Sequence, residues 1–487
     1  MIFVKYKKDL TRLINHSSDM SNSSHQSERA KARWSILRKA LLNNDGRRRA
    51  VDSCEQIRPI SSNNTNKSDN KTTSIISSKE HSIHRFAGFQ MLKRRTIPKE
   101  DLQNMLLLSE IDEKTKVEGS QESIVVEYEM LFSSLDSPAL SKITVRTLER
   151  ETLGMKLSMK ELMSHVHFGV DNTGNTRVWD CSNVLAFLVM GEKDVPPFIE
   201  ALHQAHEFNY STDMPFVGLK DVLSLATDTN MNGINERKLL RVLELGAGMA
   251  ALPSLALAAL DLKYRNKQDT SVPRIHVTIT DGHPNAVENN VSCSQLTQQL
   301  YECNNDTNGI RCHSLLWKAN NIGKQECDEV MKNMSSSETM MLSNCVPFDL
   351  MLVSDCTHFS DFHADLAATI GRMLRINGIC LLCQPRRSAS LRKFIQVLDA
   401  MNEGEHEHGP LFQVDLHQKY SKEIYDRHRQ LLNEKNDIYD ATIHYPLLLV
   451  LKKLREYHED QDTCKAISFV KMQMDPATIT CIVPVKV

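Results

Sequence analysis

The stretch from Leu240 to Met249, LRVLELGAGM, sets the tightest limit on what this chain can fold into. Val242, Leu243 and Leu245 read as a buried strand, interrupted by the acid Glu244. Gly246 and Gly248 follow where the backbone must turn sharply and approach a ligand closely, which a Cβ would obstruct. The Ala- and Leu-rich run from Met249 to Leu260 then favours a helix, whose first N–H groups lack backbone partners and suit an anionic or carboxylate-bearing ligand. Strand, glycine turn and helix in that order predict the first unit of an α/β nucleotide-type domain. The motif alone leaves the ligand open, because GAGMAA also satisfies the looser dinucleotide fingerprint in which Ala replaces the third Gly. A dehydrogenase fits it as well, and so does a turn that merely joins a strand to a helix.

Downstream the same alternation continues. RIHVTITD (274–281) reads as a strand ending in an acid, followed by a helix over 285–300 and a third strand over 310–317. The polar, Met-rich segment 320–344 reads as a helix and a variable loop. FDLMLVSD (348–355) is almost continuously apolar, as a strand buried on both faces should be. A helix over 361–374, a fifth strand GICLLCQ (378–384), a helix over 388–401 and strands over 412–416 and 444–454 close the series. Such alternation predicts a doubly wound, mostly parallel sheet.

Upstream the pattern is different. Segments 123–132 and 141–148 are rich in β-branched residues and read as a strand pair, with a further strand or turn near SIHRFAGFQMLKRR. The Asp-Asn-Thr-Gly-Asn run within 165–180 predicts a hairpin or turn, Ser182 is placed to cap a helix over 183–190, and a second helix is expected over 197–207. Residues 1–80 read as largely disordered, with a short basic amphipathic helix near 32–42 and a low-complexity linker over 61–78. The expected organisation is therefore an N-terminal region (1–80), an accessory region (81–235), an α/β core (236–456) and a C-terminal extension (457–487).

Composition narrows the partners. The chain has 487 residues, 41% of them hydrophobic, with 59 Lys and Arg against 61 Asp and Glu, so nothing global favours nucleic acid or membrane. No apolar run is long enough for a membrane span, and the apolar start is too short for a secretory signal. The 12 cysteines form no regular framework and sit partly within apolar strands, which points to reduced thiols and an intracellular compartment. The expected location is the cytoplasm, with the nucleus as an extension.

In open α/β sheets ligands lie at the carboxyl ends of the strands. Here those ends carry Gly246, Asp281, Trp317, Ser354 and Asp355. Asp281 is suited to accept both hydroxyls of a ribose, and Trp317 to cover an adenine; a helix cap and a core aromatic are the plainer alternatives. Cys380 and Cys383 have metal-like spacing, but strand residues three apart face opposite ways, and no metal site is expected there or at His406 and His408. The basic run Arg386, Arg387, Arg392 and Lys393 lies near the expected site mouth, where it serves as a solvated helix start or steers an acidic partner.

VLELGAGMAALPSLALA, TDGHPNAVENN, LLWK, FDLMLVSDC and NDIYDATIHYPLLLVLKK together resemble the family 16 protein methyltransferases that use S-adenosylmethionine. ARWSILRKALL, SIHRFAGFQML and FGVDNTGNTRVWDCSNVLAF are similar to segments ahead of the core in members that act on calmodulin. The resemblance implies a seven-stranded Rossmann-like class I methyltransferase core, S-adenosylmethionine as cofactor, a monomer, and a lysine of calmodulin as acceptor. It implies that Gly246 and Gly248 lie against the methionine part of the cofactor beside Glu244, that Asp281 binds the ribose, and that Trp179 and Trp317 line the cofactor site. Ser354 matches the small residue before the motif acid, and Asp355 the acid itself. The family's acid-x-x-aromatic pattern is displaced by one position here, so either His358 or Phe359 takes the aromatic place beside the acceptor.

Overall fold

The computed structural model describes residues 89, 91–98, 123–133, 140–150, 178–191, 219–226, 239–265, 273–301, 309–332, 346–358, 360–386, 390–403, 409–434 and 439–474. The expectations for residues 1–80, for the turn over 165–177, for the helix over 197–207, and for Phe359, Arg387, His406 and His408 lie outside them.

A three-stranded antiparallel sheet comes first: β1 (Lys93–Thr96), β2 (Ser123–Ser133) and β3 (Leu140–Arg150), in that spatial order. Helices α1 (Asp180–Met190) and α2 (Leu219–Ser224) lead into the core. The core runs β4 (Leu239–Leu245), α3 (Leu252–Arg265), β5 (Arg274–Asp281), α4 (Pro284–Gln299), β6 (Ile310–Ser314), α5 (Asn321–Lys332) and β7 (Phe348–Ser354). It continues with α6 (His363–Met373), β8 (Leu374–Pro385), α7 (Ser390–Asn402), β9 (Phe412–His417), α8 (Lys422–Asn433), α9 (Ala441–His444), β10 (Pro446–Lys453) and α10 (Cys464–Met474). The seven core strands lie in the order β6-β5-β4-β7-β8-β10-β9, and only β10 is reversed. This is the expected doubly wound sheet, closed by a C-terminal reversed strand inserted beside β8.

Both faces of the sheet are covered, which explains the unbroken apolar runs. Val242, Leu350, Leu352 and Leu381 pack with α1 and α3, while Leu243, Met351, Val353 and Leu382 face α6 and α7. Cys383 lies on the first face and Cys380 on the second, so their spacing carries no shared ligand. Among the described residues no helix is long and apolar enough to cross a membrane.

Three boundaries differ from the sequence expectation. The helix after the glycines begins at Leu252, not Met249, because Gly246 and Gly248 take φ of 65° and 63° and a loop must intervene. Strand β6 ends at Ser314, short of Trp317: the Leu315 N–H still reaches the Asp281 carbonyl (3.1 Å), but that of Leu316 turns to Glu326 Oε2 (3.0 Å). Ser182 lies inside α1 rather than capping it; Trp179 takes the N-cap position and Asp180 the first turn, where its charge suits the helix dipole. Helix α8 has no counterpart in the sequence reading, although Ser421 marks its start by accepting the Ile424 N–H (3.4 Å).

The accessory sheet packs on α1 and α3, and its edge strand is held by one stripe of α4 and its C-terminal flank. Asn289, Cys293, Thr297 and Tyr301 recur every four residues and therefore share a helix face. They meet the open edge of β3 in sequence. Asn289 Nδ2 donates to the Leu148 carbonyl (2.9 Å), and the Leu148 N–H donates to Cys293 Sγ (3.1 Å). Thr297 Oγ1 bonds both the N–H and the carbonyl of Arg146 (3.2 and 3.0 Å), and the Tyr301 hydroxyl does the same for Thr144 (3.0 and 3.1 Å). A bare strand edge is a template for unwanted pairing, and side chains occupy this one.

At the other end of the chain, residues 457–474 pack on the core. Arg455 makes a bidentate pair with buried Asp462 (both 2.8 Å), Arg372 holds Glu459 (2.7 Å), and Ala466 and Val470 of α10 join the α6–α7 face.

Replacing Tyr301 with Phe keeps the ring and leaves both backbone groups of Thr144 without their partner. The expected cost is about 1–3 kcal/mol, read as a lower denaturation midpoint with an unchanged slope.

Candidate active site

The site is built at the carboxyl ends of β4, β5, β7 and β8. Its floor is the loop 246–251. Gly248 donates its N–H to Asp281 Oδ2 (2.8 Å), and the Ala247 N–H reaches the Thr280 carbonyl (3.0 Å). Asn290, buried on α4, donates to the Gly248 carbonyl (3.0 Å) and accepts the Ala251 N–H (3.1 Å). Asn289 reaches the Met249 carbonyl (2.5 Å) with the same nitrogen that bonds Leu148. The loop is thus held by backbone-directed bonds from the next strand and its helix.

Asp281 was expected at the end of β5, and it is there, nearly buried. Its Oδ1 accepts the His283 N–H (2.8 Å) while Oδ2 accepts that of Gly248. It does not cap α4; His283 does, through Nδ1 and the Asn285 N–H (3.2 Å). A carboxylate fixed in this way presents two oxygens side by side, the geometry that a ribose diol requires of its acceptor.

A Cβ placed on Gly246 would lie 2.7 Å from Cys356 Sγ and 2.9 Å from Trp317 Cζ2, closer than any real Cβ contact. Glycine is therefore required here twice, for its left-handed backbone and for the close approach of Trp317 and Cys356. The Cys356 thiol points at the carbonyls of Ser354 (3.3 Å) and Leu245 (3.4 Å), fastening the loop after β7 to the end of β4. Trp317 is half-buried against this turn, which makes it a wall of the site.

Glu244 is fully buried beneath the turn. Its Oε2 accepts the Ser254 N–H at the start of α3 (3.2 Å), and Oε1 has no hydrogen-bond partner among the described residues. Burial pushes its carboxyl up to about 8, and the nearby Asp281 charge adds to the effect while the Ser254 bond opposes it. At neutral pH it is the protonated acid, a donor rather than an anion.

Asp355 follows Ser354 at the end of β7 in a left-handed conformation, φ 55°, which few non-glycine residues adopt. Its N–H bonds the Cys383 carbonyl (2.9 Å), and its Oδ1 accepts from Gln384 Nε2 (2.8 Å). His358 is exposed two residues after Cys356. Trp179 is positioned by a different element, at the head of α1, where it is half-buried and its carbonyl accepts the N–H groups of Ser182 (3.1 Å) and Asn183 (3.3 Å). Arg386, Arg392 and Lys393 are exposed.

The fold therefore gathers Gly246, Gly248, Asp281, Trp317, Ser354 and Asp355 at one rim, with Glu244 beneath it. The sequence reading omitted Asn289, Asn290, Cys356 and Gln384. Gln384 is the penultimate residue of the fifth core strand, close enough to its end for the rule that selects the other strand ends; the asparagines stand inside a helix, where only the folded loop gives them a role.

Residues 169–401 match the family model described as lysine methyltransferase. A calmodulin-lysine N-methyltransferase of Arabidopsis thaliana is 28% identical over 213 residues, which are 43% of this chain. The chain spans 56% of the length of that relative. Among solved structures, the plantazolicin methyltransferase BamL in complex with SAH is 12% identical, covering 45% of this chain and 79% of its own, with a TM-score of 0.25. The StiE O-MT, residues 942–1257, is also 12% identical, covering 48% and 74%, with a TM-score of 0.24. At such scores the strand order, not the superposition, carries the fold assignment.

Because the native state holds Glu244 protonated, the unfolded chain releases a proton that the folded chain keeps between the ordinary carboxyl range and about pH 8. Stability must fall as pH rises through that window and level off above it. Glu244→Gln removes this slope; thermal unfolding at a series of pH values measures it.

Proposed function

We propose that the chain, whose residues 169–401 match the lysine methyltransferase family model, is an S-adenosylmethionine-dependent protein-lysine N-methyltransferase acting on calmodulin. The observation that carries the cofactor is the rim itself: a glycine turn in left-handed geometry, an acid at the end of the next strand, and an indole pressed against the first glycine. The residues fit the group. Asp281 would take the ribose hydroxyls, Trp317 would cover the adenine side, and the 246–251 loop would receive the amino-acid part, with the orphan Oε1 of neutral Glu244 as a donor beneath it.

S-Adenosylmethionine supplies, when bound, a methyl group activated by the sulfonium to which it is attached. The protein's task is to position the acceptor and exclude water. A free lysine has a pKa of about 10.4 and must lose its proton before it can accept a methyl group. Burial and a neighbouring positive charge both lower that value. In this reading Asp355, beside the ends of β4 and β8, orients the incoming lysine head or its backbone near the donor methyl, and solvent takes the proton before the lysine enters. The side chain that completes the acceptor channel is His358 or Phe359.

Calmodulin as substrate rests on the similarity to the Arabidopsis enzyme and on the segments ahead of the core. The alternatives are a family enzyme acting on another protein and a non-catalytic S-adenosylmethionine-binding interaction module in which the displaced aromatic has spoiled the lysine channel. A monomer working in the cytoplasm, and in the nucleus as well, is part of the same proposal.

Incubation with labelled S-adenosylmethionine and unmethylated calmodulin, followed by mass spectrometry, is expected to show methylation of a lysine; an unlabelled product removes calmodulin from the proposal. Asp281→Ala is expected to abolish cofactor binding in calorimetry, and unchanged affinity would put the cofactor elsewhere. His358→Ala and Phe359→Ala separate the two channel assignments. Only the residue that lines the channel lowers turnover while leaving cofactor affinity intact.

A further inference from the structure

Asp355 is held by a chain of groups that the proposed reaction has so far left without a role. Gln384, the penultimate residue of β8, is fully buried. Its Oε1 accepts the Thr357 N–H (3.0 Å), and its Nε2 donates to Asp355 Oδ1 (2.8 Å). A backbone N–H can only donate, so the amide oxygen must face Thr357 and the nitrogen must face Asp355. The amide therefore presents a donor to the carboxylate and has no alternative orientation that keeps both bonds.

The far side of the same loop is pinned as well. The Thr357 carbonyl meets His363 Nε2 at 2.9 Å, and a carbonyl only accepts, so His363 carries its proton on Nε2. Burial pushes His363 down toward the neutral form, and its ring packs edge-on against Phe394 of α7 (5.5 Å, 75°). Strand β8 and helix α6 thus converge on residues 355–357, with α7 packed behind His363. A carboxylate on a loop after a strand ordinarily samples several rotamers, and its backbone here is already in a conformation that needs support from its surroundings.

We propose that Gln384 is a positioning residue for methyl transfer: its amide fixes the Asp355 carboxylate in the orientation that receives the acceptor amine and ties that orientation to the 355–357 loop. The proposal rests on the reading of this rim as a lysine methyltransferase site with Asp355 on the acceptor side. Gln384 does not touch the acceptor; it acts through Asp355.

Gln384→Glu and Gln384→Leu separate positioning from mere filling of space. Both are compared with wild type at each pH, using labelled S-adenosylmethionine and unmethylated calmodulin, with cofactor affinity measured by calorimetry. In Gln384→Glu the new carboxyl still accepts from Thr357, but when ionised it faces Asp355 with a like charge. Its kcat relative to wild type should fall on the order of 100-fold in mildly alkaline buffer and recover in mildly acid buffer, where the new carboxyl is protonated and donates to Asp355 again. Gln384→Leu should show a comparable loss with no recovery at any pH. Cofactor affinity should stay within about twofold of wild type in both, since their effect is on orientation of the acceptor. A Gln384→Glu enzyme that matches wild type at every pH, beside an inactive Asp355→Asn enzyme, would overturn the proposal and leave the functional reading standing. Wild-type protein that transfers no methyl group to a lysine of calmodulin or of any protein in a whole-cell extract would overturn the functional reading and the proposal with it.

Discussion

The carboxylate of Asp281 is the joint on which the rest of the site depends. One oxygen takes the Gly248 N–H and the other the His283 N–H, so a single side chain fixes the glycine turn of one α/β unit to the strand-to-helix turn of the next. Charge-assisted bonds to backbone N–H groups contribute about 1.5–3 kcal/mol each, and both are nearly buried here, where an unpaired N–H would cost a comparable amount. The distance from the turn to the ribose-binding acid is consequently set by covalent geometry and two hydrogen bonds rather than by loop flexibility.

The same helix that follows this joint reaches in two directions. Asn290 closes the turn at Gly248 and Ala251, and one nitrogen of Asn289 reaches Met249 in the turn and Leu148 at the edge of β3. Two turns on, Thr297 and Tyr301 continue the grip on that edge. The accessory sheet is therefore fastened to the element that shapes the cofactor turn. Displacement of β3 would be felt at Met249 through one amide group.

Charge is managed differently on the two sides of the rim. Glu244 lies under the turn without a cation, and burial resolves the conflict by keeping it protonated. Asp355 sits at the outer side and is given a neutral amide donor, which orients the carboxylate without cancelling its charge. Three acids within a few strands thus have three states of engagement: one neutral, one tied to backbone N–H groups, and one aimed by a glutamine.

Much of the fold was legible because it is encoded locally. Continuous apolar runs, glycines at a forced left-handed turn and acids at the end of a strand depend on backbone sterics and nearest neighbours. Leu240–Met249, Asp281 and Asp355 announced themselves in that way, and the structure put them on one rim. What tertiary structure alone decided is which atoms those side chains face. Helix α3 starts late because two positive φ values must be accommodated first, β6 stops short of Trp317 because Glu326 draws the chain away, and Asn289, Asn290 and Gln384 acquire roles only when residues 27 to 141 positions apart come within hydrogen-bond reach. The protonation of Glu244 belongs to the same class: its sequence neighbours do not desolvate it, whereas the sheet and helix packed around it do.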